Sequence, residues 1–167
     1  SFLRLALSLK ADAQLQLGQA GAARATLREL LWFHSDTAEP ADSARWRRLV
    51  VRSYILDERN EDARLALLRY RQDFGDENPQ WRWLSAQVML QAGDPESAFK
   101  LLQDDVTAQG EYLRFAAQLL MSPQRAPELE QVAVQRAKRL EQPELQAAFW
   151  GLAAAAAKRD NKPFKRI

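Results

Sequence analysis

With 167 residues, 47% of them hydrophobic and 28% charged, the chain suits one compact domain or a short run of repeats, and its composition excludes a disordered, collagenous or low-complexity polymer. A formal charge of +2 supplies no whole-molecule field of the kind that draws nucleic acid or an anionic membrane. The lack of cysteine removes disulfides, thiolate zinc sites and cysteine nucleophiles, and no apolar run approaches the length that spans a bilayer.

The chain opens as SFLRLALSLKAD, already in a helical pattern and without an initiating Met, and is expected to be a piece of a longer protein. Leu3, Leu5, Leu7, Leu9, Ala13, Leu15 and Leu17 read as a buried helix over 3–17 that Gly18 ends. A second helix over 20–34 places Ala23, Leu27, Leu30, Leu31, Trp32 and Phe33 on its apolar side. The polar stretch 34–43 reads as a loop. Residues 43–57 then give Trp46, Leu49, Val50, Ser53 and Tyr54 at the spacing of one helix face. A polar step at 57–62 leads into a helix over 61–74, closed at Phe74-Gly75.

Residues 81–105 predict two helices broken by Gly93-Asp94-Pro95. Glycine suits the left-handed position past a helix, aspartate caps the next, and proline at the first helical position lacks only an N–H that has no intrahelical partner. Gly110 opens a helix through Met121, Pro127 precedes one over 128–141, and Pro143 starts a last helix to about Arg159. Period-two alternation is absent, so the expected class is all-α.

Aligning the turns brings Ala23, Ala63 and Ala98 into register, and Leu27, Leu67 and Leu102 four residues on. Gln14, Tyr54 and Met89 each lie nine residues before the alanine of their unit. This pattern resembles the tetratricopeptide repeat family, whose period is about 34 residues. Tyr54 with Ala63, and Gly93 with Ala98, match its large residue, turn and close-crossing alanine, while Gln14 stands at the large position of the first unit. Ala11, Val51 and Ala86 stand where the family has its first glycine, and the likeness covers roughly 5–141. The resemblance implies a right-handed α-solenoid of about four hairpins (3–36, 43–75, 79–108, 111–141) and a final helix 143–159, one repeat domain over 1–167. Alanines at the crossings let helix backbones approach closely.

In such arrays the first helix of each hairpin lines a concave groove. That register assigns Arg45, Arg48 and Arg52, then Trp83, Gln87 and Gln91, then Tyr112 and Phe115, to the groove. Guanidinium forks beside aromatic rings suit a partner protein or an acidic peptide segment. The competing reading is a solvated arginine face balanced by Asp57, Glu58 or Asp62, with Trp83 in the core. Trp46 and Trp81 are expected between helices, and the apolar Trp150 helix is expected to be covered by a neighbouring repeat or a partner.

Catalysis has little to build on. The single histidine, His34, reads as a cap or surface residue, and no metal site, cofactor motif or phosphate loop is expected. Acid pairs such as Asp104/Asp105 and Glu58/Glu61 read as exposed helical residues. Glu96-Ser97-Ala98-Phe99 resembles the Glu-Ser-x-Phe start of the lysozyme-like lytic transglycosylase domain, but the stretch that follows departs from that family and Ala98 already has its repeat position. The basic end (Arg136, Lys138, Arg139, Lys158, Arg159, Lys162, Lys165, Arg166) reads as a solvated face and a frayed terminus. The expectation is a non-catalytic protein–protein interaction scaffold without nucleic-acid binding or membrane insertion. The arginine-over-lysine, alanine-rich composition looks bacterial, and the divergent repeats resemble those of envelope-assembly and polysaccharide-secretion proteins, which implies a periplasmic or outer-membrane-associated place, with a cytoplasmic home left open. The alternative is the superhelical arm of a lytic transglycosylase whose catalytic domain lies elsewhere.

Overall fold

The computed structural model describes residues 1–159, all-helical with no strand among them. Of the basic end, Lys162, Lys165 and Arg166 lie outside the described residues. Nine α-helices follow in order: α1 Phe2–Gln16, α2 Ala20–Phe33, α3 Pro40–Leu56, α4 Asn60–Phe74, α5 Pro79–Gln91, α6 Pro95–Leu101, α7 Ala108–Met121, α8 Ala126–Arg139 and α9 Pro143–Arg159. They fall into two compact units, one through Ala92 and the other from Gly93.

Local chemistry sets the helix ends. Asn78 and Thr107 cap α5 and α7 by accepting from the N–H groups of Gln80 and Gly110. Asp94 caps α6 through the Ser97 N–H at 3.2 Å, and hydrogen bonding to Ser97 holds its carboxyl below the usual aspartate range. Gly18 and Gly93 take the left-handed φ of +74° and +81° that the turns after α1 and α5 require. Two boundaries differ from expectation. Pro40 starts α3 inside the stretch read as a loop, because its fixed φ is already helical and the first turn needs no N–H. The sixth helix stops at Leu101, so Asp105 is not a helical surface acid.

In the first unit α1 packs on α2, α2 on α3, α3 on α4 and α4 on α5. The odd helices also meet, α1 with α3 and α3 with α5. Two apolar clusters hold this stack. One joins Leu7, Ala11, Leu15, Ala23, Leu27, Leu30, Trp46 and Leu49, and the other joins Val51, Ala63, Leu67 and Val88. Ala23 and Ala63 are fully buried, as close crossings require. Trp46 is buried, and Trp81 packs at the edge of the second cluster.

The expected apolar faces of α1 and α2 are only half right. Leu3, Leu5 and Leu9 are more than half exposed, and Trp32 and Phe33 are about three-quarters exposed. Leucines at alternate positions wind around a helix of 3.6 residues per turn, so only the Leu7–Ala11–Leu15 face reaches the core. Trp32 and Phe33 likewise lie off the Ala23–Leu27–Leu30 face that is buried.

In the second unit α6 packs on α7, and α9 lies against both α8 and α7. Ala98 and Leu102 are fully buried. The core joins Leu119, Ala126, Leu129, Ala133, Ala137, Phe149, Leu152, Ala153 and Ala156, with Trp150 packed at its edge. The apolar face of the last helix is thus covered by α7 and α8 of this chain. Asp105 is buried beside the start of α7, accepting from the N–H and hydroxyl of Thr107 at 2.9 and 2.6 Å. A Cβ at Gly110 would overlap the Asp105 carboxylate, so this close approach requires glycine.

Candidate functional site

The eight residues assigned to a groove divide between the units: Arg45, Arg48, Arg52, Trp83, Gln87 and Gln91 lie in the first, Tyr112 and Phe115 in the second. Tyr112 and Phe115 pack their rings edge-on against Phe149 of α9, at centroid distances of 5.7 and 6.4 Å. Burial raises the Tyr112 phenol above its ordinary pKa. Both rings therefore serve the core of the second unit.

The three arginines of α3 share a stripe but not a role. Arg45 reaches α1, donating to Ser8 Oγ at 2.7 Å and pairing with Asp12 at 2.5 Å. Arg48 donates to the Tyr70 hydroxyl of α4 at 2.9 Å, over a ring that is itself buried. Arg52 is exposed and makes no ion pair or side-chain hydrogen bond among the described residues. On α5, Gln91 donates to the carbonyl of Ile55 at 2.9 Å, tying that helix to the end of α3. Gln87 and Trp83 precede it at one-turn intervals on the same face, both partly buried.

Of the acids proposed to balance the arginines, Asp57 pairs with Arg24 of α2 and Asp62 with Arg59, leaving Arg52 to neither. The Arg24 guanidinium also donates to the Ser53 carbonyl at 3.1 Å and lies 4.8 Å from the centre of the Tyr54 ring. Arg59 approaches the same ring at 5.4 Å. Sequence reasoning overlooked this cluster because Arg24 lies about thirty residues from Ser53, Tyr54 and Asp57, and only Tyr54 belongs to the repeat pattern.

His34 ends α2, its backbone N–H donating to the carbonyl of Leu30 at 2.9 Å. Glu96 lies exposed in the first turn of α6, and Ala98 is fully buried. No grouping of three or more His, Cys, Asp or Glu that could hold a metal exists among the described residues. No described helix is long and apolar enough to cross a membrane.

The described surface therefore offers polar and aromatic groups along packed helices. Comparison with family models, curated proteins and solved structures returns no match to this chain.

Proposed function

We propose that the protein is a non-catalytic protein–protein interaction scaffold, built as a tetratricopeptide-like α-solenoid and working in a bacterial envelope assembly or polysaccharide-secretion system. The observation that carries this reading is the serial contact of α1 with α3 and of α3 with α5, each beside its own hairpin partner. Hairpins that stack through their first helices form an inner and an outer layer. The inner layer presents Arg52 of α3 beside Gln87 and Gln91 of α5. Arg45 and Arg48, already engaged, hold that layer in place. An exposed guanidinium without an internal partner favours a carboxylate-bearing peptide, which it binds through two parallel hydrogen bonds.

The test uses acidic and neutral peptide arrays with wild type, Arg52→Glu and Gln87→Ala, each checked by circular dichroism. Capture of acidic peptides by wild type, weakened about fivefold or more in Arg52→Glu, is the expected result. Equal capture by all three proteins removes the inner layer as the working surface. Retention of peptidoglycan strands but of no peptide would favour the transglycosylase-arm alternative instead.

A further inference from the structure

Between α2 and α4 a groove lies over α3, on the side opposite Arg45 and Arg52. Its volume is about 490 Å³, room for a few side chains. Leu31 of α2, Val50 of α3, and Leu65 and Ala66 of α4 supply an apolar lining. Tyr54 closes one end, its ring held by Arg24 and Arg59. Leu65 remains nearly half exposed, which is unusual for a leucine on the inward edge of a helix pair.

The lining carries two arginines and two aspartates, but they are not all paired with one another. Arg47 pairs with Asp73 at 2.9 Å, and Asp62 pairs with Arg59 at 2.8 Å, so those lining charges are matched. Arg69 of α4 also lines the groove, is exposed, and makes no ion pair or side-chain hydrogen bond among the described residues. One unmatched cation beside an apolar trough defines the complementary ligand.

We propose that this outer groove docks an acidic amphipathic helix, whose apolar side chains enter between Leu31, Val50 and Leu65 and whose carboxylate pairs with Arg69. Apolar residues three and four apart on such a helix match a trough running between two helices. A second copy of this chain fits less well. Its exposed α1 leucines are flanked by Arg4 and Lys10, which would bring like charge to Arg69. The groove is separate from the inner layer, so the two sites fail or succeed independently.

The experiment titrates the ¹⁵N-labelled chain with two synthetic amphipathic helices of about fifteen residues. Both carry leucines at helical spacing; one has flanking glutamates and the other flanking lysines. The glutamate helix is expected to shift the amide signals of Leu31, Val50, Tyr54, Leu65 and Arg69. Arg69→Glu, a change at an exposed side chain, is expected to weaken it about tenfold and to favour the lysine helix. Arg52→Glu is expected to leave the shifts at Leu31, Val50, Leu65 and Arg69 unchanged, whatever it does to peptide held at the inner layer. Shifts confined to other surfaces, loss of binding in Arg52→Glu but not in Arg69→Glu, or self-association through this groove would overturn the proposal. So would absence of binding by the glutamate helix at about millimolar concentration.

Discussion

The two units reach helical packing by different means. In the first, arginines brace one helix to the next: Arg24 to Asp57, Arg45 to Asp12, Arg47 to Asp73 and Arg48 to Tyr70. Each crosses between helices, above two modest apolar clusters. In the second, Arg136 of α8 pairs with Glu111 of α7, and the core around Phe149 is rich in alanine. Small residues bring backbones close and let dispersion and burial hold them, whereas long side chains reach across to the neighbouring helix. The braced unit is also the one with an open outer groove. Both units bury alanines between helices, so the difference lies in what surrounds them: arginine braces in the first unit, and Phe149 with its neighbouring leucines and alanines in the second.

Phe149→Ala should show the largest effect, because the ring is fully buried and touches Tyr112 and Phe115. A loss of about 3–5 kcal/mol in urea unfolding is expected. A loss under about 1 kcal/mol would mean that the alanine seam, not the ring, holds the second unit.

A smaller effect is expected from Arg24→Met in the first unit. The arginine side chain is 13% exposed and its Asp57 partner 36%, so solvent screens part of the attraction. The Ser53 carbonyl also loses a donor. A loss of about 1–2 kcal/mol is expected, falling with added salt. An unchanged or increased stability would show that the braces direct packing without strengthening it.

The smallest effect is a pH dependence. Burial raises the Tyr112 phenol, so the folded chain holds that proton more tightly than the unfolded chain, whose value is 10.0. The stability associated with it is complete below pH 10 and declines as pH rises through the folded value. Tyr112→Phe should flatten that alkaline decline. A decline of the same steepness in the variant would place its origin elsewhere.

Much of the fold could be read from residues close in sequence. Gly93-Asp94-Pro95 marks a helix break because the left-handed turn, the cap and the first helical residue are each satisfied within three positions. Ala23, Ala63 and Ala98 could be picked out because the same small residue recurs at the aligned position after each turn, and all three are fully buried. Asp105 defeated that reading: its carboxylate is buried against Thr107 and Gly110, a turn visible only once the preceding helix is seen to stop at Leu101.

The candidate surface was less readable. The spacing of Arg45, Arg48 and Arg52 correctly implies one helical stripe, yet it cannot say which of them is engaged. That depends on Ser8 and Asp12 of α1 and on Tyr70 of α4, residues more than twenty positions away. Tyr112 and Phe115 have the spacing of surface aromatics or of core, and Phe149 decides for the core. Helix identity, caps and repeat register follow from local sterics and hydrogen bonds, so the chain's own order specifies them. Which leucines of α1 are buried, which arginines remain free, and where the groove over α3 opens depend on distant helices meeting, and packing settles those.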